Sequence, residues 1–249
     1  LYNVPTQSVD RAIAILKEFS LAEPELGVSE LARRLGLTKS TVHRLLASLR
    51  EGNLVNSDPE THKYRLCCAL VELGYNAVYS KPLLQAALPY LHYLAGQVGE
   101  AVYLAVRDRE VVLTMMQVLS PSAADQIPWA PALPLHATAS GKVLLTQMED
   151  AELTSLLKKG LARCTENTIT DPALLRQEVE RVRERGYATC SEEQEAGVNS
   201  VSVPIRVPDG EVVAALTIVG PAYRLTREKI MASLEILKAI SREITLKLA

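Results

Sequence analysis

SELARRLGLTKSTVHRLLASLREG, residues 29–52, decides how the first part of this chain folds. Leu31, Ala32 and Leu35 share one face of a short helix. Gly36 then supplies a turn, because a chain leaving a helix often needs a left-handed residue that only glycine adopts without cost. Thr38 is placed to cap a second helix by accepting a backbone N–H bond. In that helix Val42, Leu45, Leu46 and Leu49 fall at i, i+3, i+4 and i+7, a stripe for burial. The opposite face carries Lys39, Ser40, His43, Arg44, Ala47 and Arg50, with Thr41 beside them and no acid before Glu51. Two helices about a glycine turn, the second basic and hydroxyl-rich, form a helix-turn-helix layout. Ser and Thr hydroxyls bond phosphates or bases, and Arg and Lys bond phosphates or guanine edges. A helical hairpin with a merely solvated polar face has the same spacing, so the flanking sequence has to separate the two.

That flanking sequence is informative. Upstream, Ser8 is expected to cap a helix with Val9, Ala12, Ile13, Leu16 and Phe19 as its apolar stripe, ended by Pro24 and Gly27. Downstream, Leu54–Val55, the turn residues Asp58-Pro59-Glu60-Thr61 and the alternating Lys63, Tyr64, Arg65, Leu66 read as a short hairpin, a wing. Its tip residues His62 and Lys63 are candidates for a phosphate or minor-groove contact. Helical patterns follow from Cys67 to Ser80, with Leu70, Leu73 and Ala77 on one side, and from Leu83 to Gln97. Pro82 separates them and Pro89 lies within the second.

The remainder changes character. Ala101–Val106 and Val111–Val118 read as strands about a turn at Asp108-Arg109, followed by a proline-rich loop that contains Trp129, the one tryptophan. HATASGKVLLTQM starts a helix, others are expected near 150–159 and 172–185, and strands near 187–190, 201–207 and 212–219 precede a last helix from Thr226. Paired strands mixed with helices indicate an antiparallel α+β domain. The expected division is residues 1–66, 67–81 and 82–249.

Composition bounds the function. The chain has 249 residues, 48% hydrophobic, with net charge −2 and 4% aromatic residues. So few aromatics argue against a single-strand nucleic-acid surface, which needs stacking platforms. No apolar run reaches the roughly 18 residues of a membrane span, and no secretory leader pattern is visible. Cys67, Cys68, Cys164 and Cys190 show no metal spacing with the four histidines, so no cofactor or metal is expected, and the cytoplasm is the expected compartment. An enzyme is the competing class. Cys190 with His136 offers a thiol pair, Ser155 and Lys158 match S-x-x-K without its partner motifs, and Ser140-Gly141-Lys142 lacks the rest of a phosphate loop.

At this point the sequence resembles the IclR family of bacterial transcription regulators over nearly its whole length. The resemblance rests on SVDRAIAILKEFS, VSELARRLGLTKSTVHRLLASL, the Tyr-Arg-Leu after the wing, ALPLHATASGKVLL, NTIT at 167–170, ERGYATCSEEQEAGVNSVSVPI and VVAALTIVGP, in that order. It implies an α+β chain with an N-terminal winged helix-turn-helix, a linker helix and a GAF-like C-terminal domain binding a small effector. It also implies a dimer, or a dimer of dimers, on palindromic double-stranded DNA, repressing catabolic genes. The face of the second helix and the wing tip make Thr38, Lys39, Ser40, Thr41, His43, Arg44 and Lys63 the candidates for DNA contact.

For the effector, the resemblance places backbone groups at Ala139 and Ser140, with Gly141 next, and matches a pocket leucine to Leu133. A family Asp falls at Cys190, a family Cys at Ser200, and two family Ser at Thr217 and Val219. The chain departs from the family at Cys190, Ser200 and Val219. Loss of a carboxylate and a hydroxyl there suggests a carboxylate effector larger than glyoxylate, with an apolar end under the Trp129 loop. Leu133, Cys190 and Val219 would equally pass for core.

Overall fold

The computed structural model describes residues 6–79, 81–121 and 130–248, and its contacts divide the chain into two compact units between residues 80 and 81. In the first unit α1 (Gln7–Lys17), α2 (Val28–Leu35) and α3 (Lys39–Glu51) enclose a small core. Gly36 ends α2 at φ 63°, the left-handed geometry its position requires. The α3 stripe is buried as the spacing predicts, and meets Ile15, Phe19, Leu31 and Ala32. The stripe expected on α1 is only partly used. Ile15 and Phe19 are buried, whereas Val9 and Ile13 stay exposed, because the small unit has too little surface to cover the first turns of α1. Thr6, not Ser8, occupies the cap position, and its side chain makes no cap bond.

The wing consists of β1 (Val55–Ser57) and β2 (Tyr64–Leu66), paired antiparallel with Val55 opposite Leu66. Leu26 bridges to Tyr64 with reciprocal backbone bonds of 3.0 and 2.9 Å, so the segment before α2 pins the wing to the core. This bridge has no sequence signature. After it runs α4 (Ala69–Tyr79), which buries none of its described residues within the unit.

In the second unit, α5 (Pro82–Val98) takes Pro82 at its first position, where the missing N–H costs nothing. Six antiparallel strands follow: β3 (Ala101–Asp108), β4 (Val111–Val118), β5 (Ala132–Pro134), β6 (Ala188–Ser191), β7 (Val198–Arg206) and β8 (Val212–Pro221). Their order is β5-β4-β3-β8-β7-β6. The short β5 lies inside the proline-rich stretch that periodicity reads as loop. It pairs with β4 through Leu133 opposite Val112. The expected site of Trp129 lies outside the described residues.

Tyr103, Ala105, Ala215 and Val219 on one face of this sheet pack with α6 (Ala139–Leu145), α7 (Asp150–Lys158) and α8 (Pro172–Arg185). The alternate residues Val102, Leu104, Leu216 and Ile218 are buried toward the other face. There α5 and the last helix, α9 (Arg227–Leu246), pack against the strands and each other. Burial on both faces explains why VVAALTIVG reads as an unbroken apolar run rather than an alternation.

Candidate functional site

Two places in the molecule gather the residues singled out by sequence. The first is the outer face of α3. Thr38 caps the helix by accepting from the Thr41 N–H at 3.3 Å, and its hydroxyl also meets Ser40 Oγ at 3.1 Å and Thr41 Oγ1 at 2.9 Å. Three hydroxyls thus cluster at the helix N-terminus, where Lys39 and Ser40 are exposed and His43 and Arg44 follow one turn on. Among the described residues, every ion pair of this unit belongs to Arg34, which gathers Glu18, Glu23 and Glu30. Lys39, His43, Arg44 and Lys63 therefore keep their charge or donor capacity uncommitted. The Arg34 cluster, invisible to motif reading, holds three of the unit's acids at the back of α2.

The wing tip is ordered by Asp58, whose carboxylate accepts from the N–H groups of Thr61 at 2.7 Å and Glu60 at 2.9 Å. Those bonds hold its carboxyl below the usual range. His62 adopts φ 56° to close the turn, and Lys63 is exposed beside it. This is a cationic, hydroxyl-bearing helix next to a hairpin, which is chemistry for phosphates and base edges.

The second place is a cavity on the α6 face of the large sheet. Strand register builds its floor. Cys190 lies opposite Ser200, Ser200 opposite Val219 and Val219 opposite Ala101. One row along, Ser202 lies opposite Thr217, Thr217 opposite Tyr103 and Tyr103 opposite Gln117. Leu133, Cys190, Ser200 and Val219 line the cavity, together with Tyr103, Thr114, Gln117 and Thr138. Gln194 and Glu195 complete its rim. The sequence reading missed Tyr103, Thr114 and Gln117. Their signal was polar atoms at alternate positions of strands whose register was unknown.

Ala139, Ser140, Gly141 and Thr217 are not in the lining but behind it. Ser140 Oγ bonds the Tyr103 hydroxyl at 3.0 Å, while Thr217 Oγ1 donates to Ser202 Oγ at 2.9 Å, and Ser202 in turn donates to the Leu216 carbonyl. Thr138 caps α6 by accepting from the Gly141 N–H at 3.0 Å and donates its own hydroxyl to the Pro134 carbonyl at 2.9 Å. These buried hydroxyls fix the Tyr103 phenol, whose pKa burial pushes up to about 12 against the pull of Ser140 and Thr217. Tyr103 thus remains a neutral donor at any ordinary pH. Gly141 has a packing reason. A Cβ there would overlap the Leu135 backbone, reaching 2.6 Å from its carbonyl carbon.

No lysine, arginine or histidine lines this cavity among the described residues. Lys142, the nearby cation of the ATASGK stretch, is turned away and only 2% exposed, bound to Glu193 at 2.5 Å and to the Thr189 carbonyl at 3.2 Å. Burial raises the Glu193 carboxyl pKa, with Lys142 opposing. Burial also raises the Cys190 thiol pKa, and that thiol donates to the Ala137 carbonyl at 3.2 Å. His136 places Nε2 on the Ala162 carbonyl at 2.8 Å. The thiol pair offered by sequence is therefore not assembled, since both groups are engaged with different carbonyls. Among the described residues no group of metal ligands is gathered, and no helix is long and apolar enough to cross a membrane.

Comparison with known proteins bears on both places. The domain described as the IclR helix-turn-helix matches residues 8–59, and that described as bacterial transcriptional regulator IclR C-terminal matches residues 75–246. The HTH-type transcriptional repressor AllR of Salmonella typhi is 32% identical over 96% of this chain and 89% of its own length. The regulator XynR of Escherichia coli K12 is 36% identical over 85% of each chain. Among solved structures, an IclR-type regulator from Alicyclobacillus acidocaldarius superposes with TM-score 0.88 at 26% identity, covering 99% of this chain and all of the other. A homologue from Microbacterium hydrocarbonoxydans, solved with 4-hydroxybenzoate, gives TM-score 0.82 at 28% identity over 97% and 99% of the two chains.

Proposed function

Because this chain belongs to the IclR family of bacterial transcriptional regulators, we propose that it is a cytoplasmic repressor of catabolic genes, released from or tightened on its operator by a small acid. The observation that carries the DNA half is the uncommitted outer face of α3. Thr38, Lys39, Ser40, Thr41, His43 and Arg44 meet the groove, and Lys63 of the wing meets a flanking phosphate. The division of labour is residues 1–66 for DNA, 67–81 as linker and 82–249 for the effector.

The effector half rests on the cavity above Cys190, Ser200, Val219 and Tyr103. Its donors are neutral: phenol, hydroxyls and amides. The matching ligand is a small organic acid that also carries hydroxyl or carbonyl groups, held by hydrogen bonds rather than by a cation. The 4-hydroxybenzoate held by one homologue is of that class. Leu133, Cys190 and Val219 contact its apolar part, while Ser140 and Thr217 act through Tyr103. Ala139 and Gly141 shape the turn behind them. A catalytic role for Cys190 is not part of this reading, since its buried thiol is a hydrogen-bond donor and not a thiolate.

The test is a mobility-shift titration of the full chain on the DNA upstream of its own and neighbouring genes, repeated with a panel of organic acids and their uncharged amides. Specific retardation that one acid changes, with its amide inert, supports the reading. Retardation indifferent to sequence, or a response to amides or cations alone, would overturn it.

A further inference from the structure

The effector domain has a second cleft, lined by cations where the first has none among the described residues. β6 pairs with β7 only as far as Ser202, opposite Ala188, so the outer edge of β7 from Val203 to Arg206 has no strand partner. Pro204 blunts that edge, and α9 satisfies part of it. Ser241 Oγ donates to the Pro204 carbonyl at 2.5 Å, and the Arg206 N–H donates to Thr245 Oγ1 at 3.4 Å. Between this edge, the C-terminal end of α8 and α9 lies a cleft of about 590 Å³.

Its charge is one-sided. Arg185, Arg206, Lys238 and Arg242 line it, and no acid does among the described residues. Arg185 is fixed in place, donating to the Tyr187 carbonyl at 2.7 Å and paired with Glu178 at 2.6 Å. Arg206 is held by the Gly210 carbonyl at 2.7 Å. Lys238 lies over the Tyr187 ring, 5.3 Å from its centre. Lys238 and Arg242 stand one turn apart on α9, and among the described residues the ion pairs of this flank are those of Glu178 with Arg181 and Arg185, so neither takes part in one. A neighbouring cavity shares Arg185 and adds Arg227.

We propose that this cleft is a second ligand site, which takes a small, multiply charged oxyanion such as a polycarboxylate or a phosphate ester. Like charges gathered in one concavity repel one another and focus a positive potential into it, in a chain whose net charge is −2. An oxyanion with two or more charges relieves that repulsion. Planar guanidinium groups add paired N–H donors for its oxygens. The cavity of Tyr103 and Cys190 has no cation in its lining among the described residues, so replacing Lys238 and Arg242 tells binding in this cleft from acid binding in the first.

The experiment is calorimetric titration of the full chain with citrate and with pyrophosphate, against sodium chloride at equal ionic strength. The expected result is saturable binding of one probe or both, at one per chain, weakened at least tenfold in the double variant Lys238→Gln/Arg242→Gln and retained in Arg242→Lys. Citrate alone binding identifies the polycarboxylate class, and pyrophosphate alone the phosphate class; either supports the site. The proposal is overturned if neither probe exceeds chloride, or if the double variant binds like the parent. It is also overturned if the double variant changes the oligomeric mass while no anion binds, which would make the cleft a contact between copies of the chain.

Discussion

Gly141 and Arg44 show how differently single residues are constrained in this protein. Gly141 sits where the Leu135 backbone crosses the start of α6, and any Cβ there collides with main chain rather than with a flexible side chain. Gly141→Ala should lower stability by about 3 kcal/mol, the upper end of ordinary overpacking, read as a fall in the urea midpoint. Among the described residues the Arg44 side chain has no ion-pair or hydrogen-bond partner to lose. Arg44→Ala should leave the melting temperature unchanged and reduce operator affinity by about 1 to 3 kcal/mol if it reads a base, with relaxed sequence preference. Lys63→Ala, if Lys63 meets a phosphate, should weaken all sequences alike and make the salt dependence shallower. Fluorescence anisotropy on operator and scrambled duplexes separates these outcomes. Glu193 carries a pH signature. Its folded carboxyl pKa is raised by burial, so between the ordinary carboxylate range and that raised value the folded state holds the extra proton. Stability should therefore fall as pH rises through that window and level off above it, and Glu193→Gln should remove the slope. Denaturant unfolding at a series of pH values from 4 to 8 (a range of roughly four units about the carboxylate values) checks the sign.

At the scale of elements, α3 and α4 make a useful contrast. Helix α3 has a hydroxyl cap, a four-residue buried stripe and a polar face, so local signals and tertiary packing agree. Removing the cap with Thr38→Ala should cost about 1 kcal/mol of stability, and operator affinity should fall with it because the same hydroxyl orders Ser40 and Thr41. Helix α4 has apolar residues on all sides, with Val71, Leu73 and Tyr75 exposed and Tyr75 stacked on Tyr79 at 4.2 Å. An exposed apolar helix of this kind is a common interaction surface. It is the element expected to pair with a second copy.

At the scale of the molecule, that pairing predicts a homodimer whose two-fold axis matches a palindromic site. Leu73→Lys should shift sedimentation at micromolar protein toward the monomer and weaken operator binding, while leaving the second unit's acid binding intact. A parent chain that sediments as a monomer while bound to DNA would refute the assignment. Acid binding and DNA binding should be linked reciprocally, typically by about 1 to 3 kcal/mol. The shift that a saturating acid produces in operator affinity should equal the shift that saturating operator produces in acid affinity.

The sequence by itself determined the parts that local rules govern. Gly36, Thr38 and the i, i+3, i+4, i+7 stripe wrote the helix-turn-helix. The alternation after Asp58 wrote the wing, and Thr226 marked the start of α9, because caps, turns and periodicity act within a few residues. Ser8 misled because a good capping residue is not a cap unless the chain enters the helix there, and Val9 and Ile13 misled because a stripe is buried only where a partner reaches it. The candidate cavity was legible only through family resemblance, and then in part. Which strand residues line it depends on register over long separations. That register brought Tyr103 and Gln117 to the floor and turned Thr217 behind it, while Ser140 lies behind it on α6. The tertiary structure alone decided where Lys142 points. Nothing local to Ser140-Gly141-Lys142 shows that this lysine lies inside, yet Glu193, about fifty residues later in the chain, makes it half of an internal ion pair, since a charge removed from water must find its opposite close by.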